Sequence, residues 1–213
     1  MAALEDSLDQ GLRALGLEIS AAQRDGLLAY LDLLQRWNRA YNLTAVRDPL
    51  EMVTRHLLDS LSIAPHISGQ RFLDVGTGAG LPGIPLAILF PQRRFELLDS
   101  NGKKTRFLID ARQRLGLNNV VVHSTRVEAL SDEVGFDGIL SRAFASLADM
   151  VAGCQHLLAE GGKMYAMKGQ YPEQELSHLP KRFIVEGCHS LHVPGIDEAR
   201  HLLVLSHSDT GSP

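Results

Sequence analysis

Cysteine is scarce. Cys154 and Cys188 stand far apart in 213 residues with no second pair beside them, so neither a disulfide framework nor a cysteine zinc site is read from the chain. The nine histidines fall at no metal-ligand spacing, since His189 and His192 pair on an expected strand but lack a third ligand; no metal is expected. No apolar run approaches the ~20 residues of a membrane span. The opening Met1-Ala2-Ala3-Leu4-Glu5-Asp6 is acidic rather than basic and then apolar, so a cytoplasmic protein without a membrane partner is expected. A surplus of positive charge is missing too. The net charge of −4 gives no global bias toward nucleic acid, which leaves that case to local patches. Repeats and low-complexity tracts are also absent. At 45% hydrophobic and 22% charged residues, the chain reads as one globular domain, or one domain with an appendage.

Residues 1–66 read as helices. Ser20-Ala21-Ala22-Gln23 is a capping-box start, followed by Leu27, Leu31, Leu34 and Tyr41 on roughly one face with Trp37 nearby. Asp48-Pro49-Leu50-Glu51 is a second start, and its helix would carry Met52, Val53, His56, Leu57, Ser60 and Leu61. From residue 70 the period changes. Apolar strands at Phe72–Val75, Phe95–Leu98, Val120–His123, Gly138–Leu140 and Lys163–Met167 alternate with helical stretches, which implies a parallel sheet covered on both faces. Phe183–Leu191 and His201–Ser206 read as an antiparallel hairpin closing one sheet edge.

The sharpest local signal is Phe72-Leu73-Asp74-Val75-Gly76-Thr77-Gly78-Ala79-Gly80-Leu81-Pro82-Gly83, a strand carrying an acid, then a glycine-rich turn, then a helix. Glycines allow positive φ and close approach to a ligand, with helix-start N–H groups facing it. Asp99 ends the next strand, near the ~20-residue distance at which a carboxylate meets ribose hydroxyls. Gly78 to Gly83 satisfies the G-x-G-x-x-G of dinucleotide folds, whereas Asp74 to Gly80 is similar to the acid-x-G-x-G-x-G of S-adenosylmethionine-dependent methyltransferases. Three features favour the second. A carboxylate at Asp74 would repel a pyrophosphate but suits a cationic cofactor. Pro82 and Pro85 remove N–H donors that a pyrophosphate would use, and about 65 residues precede the motif.

Ligands of an open parallel sheet sit at the carboxyl ends of its strands. That places Gly76, Gly78, Gly80, Leu81, Asp99, Val127, Glu128, Arg142 and Lys168 at the site. Val127 and Glu128 read equally as an adenine contact and as the start of a surface helix. Arg142 emerges from a buried strand, where a charge calls for a partner or a ligand; Lys168 reads as site residue or solvated strand end. Lys103, Lys104 and Arg106, with Arg112 and Arg114 further along, form a basic patch that suits either a phosphate surface or a solvated helix face.

Trp37 to Thr44, Arg55-His56-Leu57-Leu58-Asp59-Ser60, Asp74 to Pro85, Leu98 to Lys104, Ser141 to Leu147 and Lys168-Gly169 follow one another in unbroken order. Together they closely resemble the RsmG (GidB) family of bacterial 16S ribosomal RNA methyltransferases, over about residues 20–205. The resemblance implies an α/β, Rossmann-like class I methyltransferase fold: a mostly parallel seven-stranded sheet flanked by helices. Residues 1–66 would form a helical extension packed on a core at 67–207, with a polar tail at 208–213. It further implies N7 methylation of a guanine in 16S ribosomal RNA, naked or within the small subunit, by a monomer using S-adenosyl-L-methionine.

By position in the motifs, Gly76, Leu81, Val127, Glu128 and Arg142 carry over as cofactor contacts, beside Asp74, Gly78, Gly80 and Asp99. Arg142 and Lys168 are the catalytic candidates, and Arg55, His56, Lys103, Lys104, Arg106 and Phe144 the RNA-binding ones. For His56 a structural role is the simpler reading, and Phe144 suits base stacking or core packing. Guanine N7 carries a lone pair and no proton, so in-line attack without a general base is expected. The alternative is the same cofactor with a small-molecule or protein acceptor.

Overall fold

The computed structural model describes residues 2–142 and 144–208, so the expected tail lies, apart from Ser208, outside the described residues. Helix α1 (Ala2–Ala14) buries Leu8 and Leu12. Helix α2 (Ala21–Tyr41) opens in the expected capping box: Ser20 Oγ accepts from the Gln23 N–H while Gln23 Oε1 accepts from the Ser20 N–H. It closes at Asn42, whose φ of 50° is left-handed, a conformation asparagine tolerates. Asp48 then caps α3 (Pro49–Met52) through the Leu50 and Glu51 N–H groups.

An ordinary amphipathic helix does not follow. The backbone widens into a π-helical stretch, Val53–Leu58, before α4 (Asp59–Leu61), and the Asp59 N–H donates back to the Thr54 carbonyl. The wider turn buries Val53, His56, Leu57, Leu58, Asp59, Ser60 and Leu61 instead of one narrow stripe.

The remaining elements are β1 (Arg71–Val75), α5 (Gly83–Leu89), β2 (Arg94–Leu98), α6 (Gly102–Arg114), β3 (Val120–His123), β4 (Phe136–Ser141), α7 (Leu147–Cys154), β5 (Leu158–Lys168), α8 (Glu173–Leu176), β6 (Phe183–Ser190) and β7 (His201–His207). One sheet of seven strands runs β3-β2-β1-β4-β5-β7-β6. Strands β1 to β5 pair in parallel, and β7 is antiparallel to both neighbours. The hairpin sits at the edge as expected, with β7 inside and β6 outside. Burial explains the order: Leu202 to Ser206 are all buried, whereas β6 alternates as a half-exposed edge strand does. Because β1 pairs with both β2 and β4, the chain reverses its direction of winding there, and a crevice opens at the strand ends.

The helices of the first 66 residues share one apolar cluster with the sheet, from Leu8, Leu27 and Leu57 to Phe72, Phe95 and Tyr165. A second cluster covers the other face, with Leu73, Ile139, Met164 and Leu203 against α7.

Candidate active site

The glycine turn is held by the acid that precedes it. Asp74 is 1% exposed, and its Oδ2 accepts from Thr77 Oγ1 at 2.6 Å and from the Gly83 N–H at 2.8 Å, so one carboxylate oxygen ties the end of β1 to the start of α5. Burial pushes its carboxyl up to about 6, with the two hydrogen bonds and the Arg142 charge pulling the other way. Its Oδ1 is buried and has no hydrogen-bond partner among the described residues.

Gly76, Gly78 and Gly80 take φ of 66°, 61° and 89°. A Cβ at Gly78 would meet Gly76 O and Lys104 Nζ only at van der Waals distance, both at 3.9 Å, so the turn is not packed against its neighbours there. Asp99, at the end of β2, accepts from the Gly78 N–H at 3.0 Å and the Asn101 N–H at 2.8 Å, with Lys104 Nζ 3.6 Å away. Lys104 thus leans toward this carboxylate, while Lys103 is exposed on α6 and Arg106 Nε donates to Gly102 O. From α2, the buried Tyr30 hydroxyl donates to Ala79 O at 2.7 Å. Burial raises the Tyr30 hydroxyl far above its usual range, so it remains a donor. Leu81 is buried just before a cis Leu81-Pro82 bond. Val127 packs in the second cluster, and Glu128 is exposed on a short 3-10 turn, Val127–Ala129, rather than at the head of a surface helix.

A second group of residues gathers on the other side of β1. Arg142, just past β4, places Nη1 3.0 Å from Asp59 Oδ2, while Arg200 Nε lies 3.3 Å from Asp59 Oδ1. Asp59 is 5% exposed; burial raises its pKa against the lowering pull of Arg142 and Arg200. His56 Nε2 lies 2.9 Å from Thr44 Oγ1, which accepts from the Val46 N–H. Burial is the main cause that holds His56 down at about 4, so its ring is neutral at pH 7. Arg55, His56, Asp59, Arg142, Lys168 and Arg200 line a cleft of ≈ 380 Å³.

Lys168 pairs with Glu175 at 2.9 Å and donates to Phe144 O at 3.3 Å, tying together the loops after β4 and β5. Arg55 reaches Glu198 at 2.9 Å on the rim. Phe144 is half-buried against the second cluster. His189 stacks on His66 at 4.0 Å, and His192 lies beyond the end of β6. Tyr30 and Arg200 are not among the residues singled out from the sequence. Thr77 lies inside the glycine motif, but Tyr30 and Arg200 act across the fold and leave no spacing to read.

The residues fit S-adenosylmethionine. The Gly78 turn is uncrowded beside the Asp99 carboxylate, and among the described residues one buried Asp74 oxygen is unpaired and could accept from a cationic or N–H-bearing group.

Comparison with known proteins bears on the same site. The family model described as rRNA small subunit methyltransferase G (GidB) matches residues 23–203. Ribosomal RNA small subunit methyltransferase G of Pseudomonas paraeruginosa is 56% identical over 201 residues, 94% of each chain. That of Hahella chejuensis is 52% identical over 203 residues, covering 95% of this chain and 94% of its own. Among solved structures, the glycopeptide N-methyltransferase MtfA complexed with (S)-adenosyl-L-methionine shares the fold at TM-score 0.62 and 11% identity, over 72% of this chain and 87% of that one. Family match and relatives agree over nearly the whole chain: it is a member of the GidB family of rRNA small subunit methyltransferases.

Proposed function

We propose that this protein transfers a methyl group from S-adenosylmethionine to N7 of a guanine in 16S ribosomal RNA. The β1–α5 turn and Asp99 would hold the cofactor, and the cleft of Arg142, Asp59 and Lys168 would receive the RNA. One observation carries the reading beyond family membership: the strand β1 that bears Asp74 pairs directly with β4, whose end bears Arg142, so the glycine turn and the cleft lie at the carboxyl ends of adjacent strands.

When bound, the cofactor supplies an electrophilic methyl on a sulfonium. N7 needs no deprotonation, so no general base is called for; burial makes His56 a weak base and its ring is hydrogen-bonded to Thr44, while Arg142 is paired with Asp59. Arg142 thus orients rather than moves a proton, and Lys168 fixes the loop that presents it. Asp74, ionised above about pH 6, offers its unpaired oxygen to the positive end of the cofactor. Orientation of this kind is worth ~7–11 kcal/mol when reacting atoms are held in line. N7 lies in the narrow major groove of A-form RNA, so the target should be looped or splayed from its stack.

No helix is long and apolar enough to cross a membrane among the described residues. We place the reaction in the cytoplasm, with the protein acting as a monomer. The test incubates the protein with methyl-labelled S-adenosylmethionine and either naked 16S RNA or 30S particles from cells lacking the gene, followed by digestion to nucleosides. Label in 7-methylguanosine is the expected result. Cofactor binding without label in either RNA would overturn the reading.

A further inference from the structure

Arg200 has no place in the account so far, although it lines the cleft beside Arg142. Both arginines lean on one carboxylate: Arg142 Nη1 on Asp59 Oδ2 and Arg200 Nε on Asp59 Oδ1. Two guanidiniums bring roughly ten N–H donors to a group with two oxygens. Arg200 Nη1 donates to Ala199 O, and the pair still carries more donors and one more positive charge than Asp59 can answer. The nearby acids answer it only in part: Asp74 feels the charge of Arg142 and Glu198 that of Arg200, but neither forms an ion pair with it among the described residues. Glu198 is engaged by Arg55 and Glu175 by Lys168. His56, with its pKa near 4, adds no charge at neutral pH.

Asp59 is 5% exposed, whereas the Arg142 and Arg200 side chains keep 31% and 23% of their surface accessible. The carboxylate therefore lies beneath the two cations, and the cations face the cleft. A buried anion beneath two half-open guanidiniums fixes their orientation and leaves their outer donors to an external anion. Arg142 is held by a hydrogen bond to Asp59 and Arg200 by an ion pair at 3.3 Å together with its bond to Ala199 O, which lowers the ordering cost of binding.

We propose that Arg142 and Arg200, fixed by Asp59, form a phosphodiester-binding subsite for the RNA strand beside the target guanine. Asp59 is its positioning residue. The subsite is assembled from three distant parts of the chain: α4, the end of β4 and the residue before β7. It rests on the acceptor being RNA.

The test compares wild type, Arg200→Gln and Arg200→Lys in methyl transfer to 30S particles and in cofactor binding by calorimetry. For Arg200→Gln, KM for the particle should rise about ten-fold with the loss falling on KM rather than on kcat. The slope of log affinity against log salt should become shallower by about one, as expected when one phosphate contact is lost. Cofactor affinity should hold within about two-fold. An unchanged KM and salt slope with cofactor binding intact would overturn the subsite.

If Arg200→Gln no longer binds cofactor, the decision passes to Arg200→Lys, which keeps the charge but loses the planar fork. A raised KM with cofactor affinity kept supports the subsite; a normal KM, or weakened cofactor binding, assigns Arg200 elsewhere and sinks it. Wild type that labels no RNA would sink the acceptor itself, an outcome separate from wild type that labels RNA while both variants behave like it.

Discussion

At the residue scale, Asp74 and His56 are both buried and are displaced in opposite directions. Burial raises the Asp74 carboxyl from 3.8 to about 6, so its contribution to stability is fully present below about pH 3.8 and is lost as pH rises through 6. Burial lowers His56 from 6.5 to about 4, so its contribution is present above about pH 6.5 and is lost as pH falls through 4. Each shift corresponds to about 3 kcal/mol. Between pH 6 and 5 the two slopes offset one another. Urea denaturation should therefore show a shallow pH dependence there in the wild type. Asp74→Asn should lose stability on acidification over that interval, and His56→Asn should gain it; slopes that do not separate would refute the assignment. Cofactor affinity gives an independent reading of Asp74. Titration calorimetry should find the Kd rising as pH drops through about 6 in the wild type, and weaker but flat in Asp74→Asn.

At the scale of elements, α2 reaches the active site through one atom. Tyr30→Phe removes the hydroxyl that donates to Ala79 O and leaves a buried carbonyl unanswered, at a cost of ~1–3 kcal/mol. Because that carbonyl lies within the glycine turn, the cofactor Kd should rise along with the loss in melting temperature. A drop in stability with unchanged Kd would confine Tyr30 to the core. Gly83→Ala acts on the same turn from below. Its Cβ would strike Leu97 Cδ2, which is fully buried, and stand 2.8 Å from Asp74 Oδ2. Overpacking of this kind costs ~1–3 kcal/mol, and the displaced clamp should abolish detectable cofactor binding in the same calorimetric assay.

Elements whose causes are local could be read from the chain: the Ser20 and Asp48 caps, the strand–turn–helix at Asp74 and the acid at Asp99 all depend on residues within a few positions. The π-helical widening at Val53–Leu58 could not, because packing of that segment against the sheet and α1 decides which of its residues are buried. Nor could the Arg142–Asp59 and Arg55–Glu198 pairs, which join residues 83 and 143 positions apart.

For the whole molecule, the first apolar cluster runs without a break from α1 and α2 through Phe72 and Phe95 into the sheet. Removing residues 1–66 would strip α1 to α4 from that cluster and leave α5 and α6 to cover the face alone. The remaining chain should fail to give a cooperative thermal transition by circular dichroism, and a sharp transition would show that the sheet stands alone. The fold class was legible because alternating strands and helices force a covered parallel sheet. The cleft was legible only in part: Arg55, His56, Arg142 and Lys168 stood out in the chain, but Asp59 and Arg200 join them from segments that only the folded chain brings together.

The position of β7 also has a consequence for how the molecule is made. The last strand of the chain lies inside the sheet, between β5 and β6, although it leaves the ribosome after both. During synthesis β6 emerges with no neighbour to pair with, and the edge of β5 stays open until His201 to His207 arrive. Arg200 enters at the same moment, so a nascent or C-terminally clipped chain can carry the glycine turn and yet lack the arginine pair. The arginine pair of the cleft therefore forms only after Arg200 has been added.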